Sequence, residues 1–276
     1  MDQLPLGDYE QFEQWSGQSL TWGPEGAGWR AWFGGKVVDG LCEILDRHLS
    51  AERPRRSEGQ PVVIGCVPWL TSDEVIDRLL RLAACCIVLD KGARLPTRLV
   101  THDRPFPSSV LPRLAMTMPA VDGAATVLGP YGPMPDHEVG PVRVLGWQGK
   151  GMKKPLLHAK ILVLGDVGHN TYEADGVGEW EEWEFTPHSV WWGSANWTRG
   201  SRSHLEVGFW SDDDSLTRHA SSFVQDVISF SEPVDSLTAG PEPNLLPVEF
   251  DDEAMREAWE AGYLDHLAAE EDDDQA

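Results

Sequence analysis

Residues 156–166, LLHAKILVLGD, seat a histidine and a lysine two positions apart inside an aliphatic run. In a strand, side chains alternate faces. His158 and Lys160 therefore share one face, and Leu157, Ala159, Ile161 and Val163 form the apolar opposite face. A lone histidine in such a place is ordinarily a packing residue. Paired with a lysine it needs another account, because two potential cations repel unless an anion lies between or above them. One strand later comes Gly193-Ser194-Ala195-Asn196, and Glu206 lies on the strand after that. Neutral imidazole is a competent nucleophile toward phosphorus and a proton carrier near neutral pH. Glu206 can bind the second ring nitrogen of His158 and hold its tautomer. Lys160 and the Asn196 amide can donate to the non-bridging oxygens of a phosphoryl group as charge builds in the transition state. Gly193 allows close approach of a ligand, and Ser194 adds one further donor. The chemistry these residue types fit is phosphoryl transfer.

The elements that would hold them can be read along the chain. Residues 1–28 form an irregular lead-in. Val37, Leu41, Ile44, Leu45 and His48 at helical spacing predict a helix over 35–49. PVVIGCVPWL (61–70) reads as a buried strand. Thr71 and Glu74 have capping-box spacing and open a helix with Val75, Leu79, Leu82 and Ala83 inward. CCIVLDKG (85–92) is a second strand. Strand–helix–strand order implies an α/β fold with a right-handed crossover, built on a mixed, mainly parallel central sheet flanked by helices. Strands follow at 141–147, at the His158 segment, at 188–198 and at 204–210. A helix over 214–230 is expected to turn Leu216, Phe223, Val227 and Phe230 inward. Residues 167–187 form an acidic insert with Glu173, Asp175, Glu179, Glu181, Glu182 and Glu184, whose length suggests a functional lid or rim. Residues 29–232 are thus one domain, 233–269 a Pro-rich connector and acidic helix, and 270–276 a disordered acidic tail.

Composition narrows the class. Hydrophobic and charged fractions of 41% and 24% suit an ordinary soluble protein. No run has the length of a membrane span, and the N-terminus lacks signal-peptide character, so a cytoplasmic protein without stable membrane insertion is expected. Cys42, Cys66, Cys85 and Cys86 match no zinc spacing and read as buried thiols. The net charge of −23 argues against a broad nucleic-acid-coating surface, although −11 of it falls in residues 247–276. No His/Asp/Glu cluster has metal-ligand spacing, so neither metal nor cofactor is expected.

HAK followed by GSANWT and then HLEVGF resembles the phospholipase D superfamily, in particular its single-motif, nuclease-type members. The upstream strand–helix–strand is similar to the opening of that domain, and the resemblance spans roughly residues 29–230. It implies a phospholipase D-like domain and metal-independent phosphodiester chemistry. One histidine attacks phosphorus to give a phosphohistidine, and a second protonates the leaving oxygen and then activates water. His158, Lys160, Ser194, Asn196 and Glu206 take the catalytic positions. The family's Asp falls five residues after the lysine, where this chain has Gly165, with Asp166 one position late.

One complete motif supplies one histidine. A homodimer placing two His158 side chains across a two-fold axis supplies the second. His102, with Arg104 in the lysine's place, is the other source within the chain, but no Gly-Ser-x-Asn follows it. Lys153 and Lys154, in the basic loop with Lys150, are candidates for binding a phosphate backbone. Trp197, flanking the Gly-Ser turn with Trp191 and Trp192, is a candidate for stacking a base. Three functions follow from different classes: a nuclease on DNA or RNA, a phospholipase or phosphatidyl transferase on phospholipid head groups, and a catalytically silent binding subunit. The basic loop and single motif favour the first. The lack of an amphipathic membrane face weighs against the second, and the intact motif against the third.

Overall fold

The computed structural model describes residues 19–21, 28–50, 59–101, 106–107, 114–118, 126–131, 138–148, 157–174, 178–235 and 239–245. Lys150, Lys153, Lys154, His102, Arg104, the tail helix and the acidic tail lie outside them. In chain order the first strands are β1 (Ser19–Thr21), β2 (Trp29–Phe33), β3 (Gln60–Cys66), β4 (Ala84–Asp90), β5 (Phe106–Pro107), β6 (Leu114–Met118) and β7 (Thr126–Tyr131). Then come β8 (Glu138–Val139), β9 (Val142–Leu145), β10 (Ile161–Ala174), β11 (Gly178–Gly193), β12 (Val207–Ser211) and β13 (Glu232–Pro233). The helices are α1 (Val37–Leu49), α2 (Asp73–Leu79), α3 (Thr97–Val100) and α4 (Asp214–Ser229).

The chain divides into two compact units, Met1–Pro112 with Gly132–Leu245, and Arg113–Tyr131 with Leu246–Ala276. In the second, β6 and β7 pair antiparallel. In the first, nine described strands form one sheet in the order β1-β2-β12-β11-β10-β3-β4-β9-β13.

The fold is mixed α/β as expected, but the sheet is not mainly parallel. Only β3–β4 and β4–β9 run parallel, and the other neighbours are antiparallel. The reason lies in the connections. A parallel neighbour needs a crossover, and α2 supplies one between β3 and β4. β10 and β11 are joined directly as a hairpin, which can only be antiparallel. The acidic stretch 167–187 is likewise not an irregular loop. It extends that hairpin, with Val167 opposite Phe185, Tyr172 opposite Trp180 and Ala174 opposite Gly178.

Two apolar clusters cover the two faces of the sheet, and strand alternation divides them. Val63, Leu162, Leu164 and Trp191 pack under Val37, Leu41 and Leu45 of α1 and Val75 and Leu79 of α2. Val62, Ile64, Val163 and Val190 pack under Val224 and Ile228 of α4. Each fully buried aliphatic contributes about 1.5–3 kcal/mol. β3 and β4 are buried on both faces, so their sequences are unbroken apolar runs. The four cysteines are buried and free, and burial pushes Cys42 up to about 11, Cys66 and Cys86 up to about 12 and Cys85 upward. They are inert thiols at neutral pH.

Two local expectations change. Ser72, not Thr71, precedes α2 and makes no side-chain cap; this shift puts Val75 at the third helical position, so no capping box forms, and Glu74 pairs with Arg202. α4 turns Thr217, Ser221, Val224 and Ile228 inward, leaving Phe223 and Phe230 exposed.

The missing aspartate at 165 has a steric explanation. A Cβ on Gly165 would fall onto the Phe185 ring and within 2.5 Å of the Thr186 carbonyl oxygen. Opposite this point the register slips, Gly165 pairing with Pro187 and Leu164 with Ser189, so His188 is the extra residue of a bulge. Its Nε2 lies 2.8 Å from an Asp166 carboxylate oxygen, with Asp166 fully buried. Asp166 is therefore a structural anchor between β10 and β11. Gly165→Ala is expected to destabilise by about 1–3 kcal/mol through overpacking. Thermal unfolding should show a midpoint several degrees lower, and Gly165→Asp should be worse rather than restoring anything.

Candidate active site

The start of β10, the end of β11 and the start of β12 meet at one end of three neighbouring strands inside the sheet. His158 and Lys160 lie just before β10, at its mouth rather than mid-strand as the sequence suggested. The alternation holds through this segment nonetheless. Leu157 and Val163 are buried in the α4-side cluster, and Ala159 and Ile161 pack against it. His158 is exposed.

Lys160 is buried at 6% exposure, and its Nζ donates to the His158 carbonyl oxygen at 2.9 Å. Burial pushes its pKa below the ordinary lysine range, opposed by the nearby Glu206 carboxylate and the Cys66 thiol. The backbone continues the ladder here, as Gly193 N donates to Lys160 O at 3.2 Å. Glycine is required at 193. A Cβ would press on the Val207 carbonyl oxygen and sit 3.0 Å from the Gly208 Cα.

Ser194 follows, and its hydroxyl is committed in both directions. It donates to Glu206 Oε2 and accepts from Val207 N at 3.0 Å, while Ser194 N donates to Val207 O at 2.9 Å. Glu206 was expected to hold the ring of His158, but the structure gives it other partners. One carboxylate oxygen takes the Ser194 hydroxyl, and the other lies 3.8 Å from His204 Nδ1. The expectation failed because the tight β11–β12 closure brings Ser194 to the carboxylate first. The Glu206 carbonyl is fixed from the other side by Gly34 N at 2.8 Å. Gly34 has φ 66°, a conformation that glycine adopts without strain.

Asn196 is half-buried in the same turn, and its Oδ1 has no hydrogen-bond partner within the described protein. Its carbonyl oxygen is thus not spent on holding the turn. Trp197, the expected stacking residue, is fully buried and meets Trp191 edge-on at 6.3 Å. It is core, because its backbone is pinned by Trp69 O on one side and by Thr71 N and Ser72 N on the other. The aromatic face offered to a ligand is instead that of Trp69, 51% exposed beside this turn.

Sequence reasoning missed three groups here. Trp69 was hidden in an apolar strand end. Arg202 joins Asp39 and Glu74 and, with Thr71, Ser72, Asp73, Arg199 and Ser203, lines a cavity of about 490 Å³. His204 stood in view, two residues before Glu206. Among the described residues no three of His, Cys, Asp and Glu are grouped to hold a metal ion.

The arrangement offers an open imidazole, a buried cation, an uncommitted amide and a carboxylate held in place by a hydroxyl. That set can bind a tetrahedral anion and attack it. No protein-family model and no curated protein matches the chain. Among solved structures it is similar to NucT from Helicobacter pylori, at 12% identity and TM-score 0.45 over 75% of this chain and 99% of that one. It is similar to a polyphosphate kinase from Porphyromonas gingivalis, at 14% identity and TM-score 0.35 over 70% of this chain and 21% of that one. It is also similar to Nuc from Salmonella typhimurium, a phospholipase D family member, at 12% identity and TM-score 0.35 over 72% and 93%. These likenesses are structural only, at low sequence identity.

Proposed function

We propose that the chain is a phosphodiesterase of the phospholipase D superfamily, acting on nucleic acid through a phosphohistidine at His158. The observation that carries this reading is the meeting of exposed His158, buried Lys160 and the Ser194–Glu206 bracket at the ends of three neighbouring strands. Lys160 and the Asn196 amide stabilise the charge that builds on the non-bridging oxygens. Ser194 acts through Glu206, holding the carboxylate that keeps a positive charge on Lys160. Trp69 stacks a base next to the scissile phosphate, which favours single-stranded substrates.

A second reading rests on a specific observation. Leu205 and Val207, on either side of Glu206 in the chain, are exposed, as is Trp69, and exposed apolar side chains of this kind also suit acyl chains. Among the described residues no helix is long and apolar enough to cross a membrane. Incubation with labelled single-stranded DNA, RNA and phosphatidylcholine vesicles decides between the two. Cleavage confined to the vesicles overturns the nuclease reading.

His158→Ala is expected to lower the rate by several orders of magnitude without lowering the thermal midpoint, and Lys160→Ala nearly as much. Activity should persist in excess EDTA. Loss on chelation with recovery on adding Mg2+ would overturn the mechanism.

Lys160 also sets a pH limit. Its protonated form is the competent one and its pKa is depressed by burial, so activity is present below that pKa and lost as pH rises through it. The alkaline limb of kcat/KM is expected beneath the ordinary lysine range. Lys160→Arg, where it retains activity, should move that limb upward.

A further inference from the structure

We propose that the cavity between the start of α2 and the turn after Asn196 is a base-reading pocket, in which Asp73 and Arg199 hold a guanine of the substrate strand. The proposal rests on the nuclease reading and names the substrate feature that the site selects.

The cavity, of about 490 Å³, is walled by residues 71–74 and by the 3₁₀ turn Arg199–Ser203. Two observations place it against the Gly193–Asn196 turn. Thr71 N and Ser72 N both donate to Trp197 O at 3.0 Å, and Trp197 is the residue after Asn196. Arg199 follows Asn196 by three residues, so their Cα atoms are at most about 11 Å apart. The exposed ring of Trp69 stands two residues before Thr71. A strand whose phosphate meets Asn196 thus has the cavity within reach of a neighbouring base.

The walls are fixed from outside the cavity. Arg202 is tied to Asp39 of α1 at 2.8 Å and to Glu74 of α2. Its carbonyl oxygen packs so closely on Gly35 that a Cβ there would fall 2.2 Å from it. With Arg202 and Glu74 spent on each other, Asp73 and Arg199 remain. Both are exposed, and neither side chain has a hydrogen-bond or ion-pair partner among the described residues. They line one cavity without pairing with each other, so the group that fits between them donates to a carboxylate and accepts from a guanidinium.

Charge and size decide which ligand that is. Two carboxylates offset two guanidinium groups in the lining, which leaves no net charge to hold a further phosphate. The volume falls in the range of small-molecule pockets, about 300–1,000 Å³. A nucleobase suits both conditions. Guanine offers N1–H and N2–H to the two oxygens of Asp73, and its O6 and N7 accept from the fork of Arg199. None of the other bases presents both doubled edges. In a single strand those edges are free of pairing.

The test measures kcat/KM of wild type, Asp73→Asn and Arg199→Gln on single-stranded oligonucleotides that differ only in the bases flanking the cleaved bond. Wild type should favour guanine by about 10–100-fold. Replacing that guanine with inosine, which lacks the N2 amine, should cost wild type several-fold and Asp73→Asn nothing further. 7-Deazaguanine, which lacks N7, should behave likewise toward Arg199→Gln. The analogues alter no protein atom, so a folding defect cannot imitate this result. Wild-type rates independent of the base, or a preference for another base, overturn the proposal and leave the nuclease reading intact. An equal loss in Arg199→Gln on every sequence marks a phosphate contact and overturns it too. Wild type that cleaves none of the oligonucleotides removes the nuclease reading, and calorimetry with guanosine monophosphate then decides the pocket alone. Binding weakened about tenfold or more by Asp73→Asn, and for inosine monophosphate, supports the pocket. No binding, or binding equal to that of adenosine monophosphate, overturns it.

Discussion

The absence of a side chain at Gly193 is the constraint on which the site depends. Its N–H reaches Lys160 O and the next one reaches Val207 O, so three strand ends are tied together within two residues. Any Cβ at that point would push β11 off β12. What the closure gains is position. It fixes Lys160 on one side and delivers the Ser194 hydroxyl to Glu206 on the other. Those groups then sit at the mouths of paired strands, where backbone hydrogen bonds hold their spacing. The placement of these side chains is a consequence of backbone pairing made possible by one missing atom.

This dependence explains which parts of the site could be read from sequence. The period-2 signal around residue 158 correctly separated Leu157, Ala159, Ile161 and Val163 from His158 and Lys160, because strand alternation is local. The strand–helix–strand at 61–92 was legible for the same reason, since α2 announces its own crossover. Strand direction elsewhere was not legible. Charge in residues 167–187 drew attention away from the pairing of Tyr172 with Trp180, which marks a hairpin rather than an irregular insert. Trp197 and Trp69 exchanged roles because which aromatic is buried is settled by backbone bonds between residues far apart in the chain. The partner of Glu206 was misread likewise. A carboxylate takes the nearest donor, and only the fold shows that Ser194 is nearer than His158.

Charge poses the remaining problem for the proposed nuclease reading, because a chain with a net −23 repels a polyanion at long range. Arg202 does little to offset this, being engaged by Asp39 and Glu74. Attraction must then arise at short range, where Lys160 is buried and water is scarce enough for a single charge to count. Burial alone would drive that lysine toward its neutral form, and Glu206 opposes the drift. Glu206 therefore serves two partners at once. Its charge keeps the buried cation from losing its proton, and one of its oxygens takes the Ser194 hydroxyl that closes the turn. Removing it would leave a buried ammonium without its counter-charge and the Ser194 hydroxyl without its acceptor. The two failures would appear together, since a single carboxylate serves both the cation and the turn.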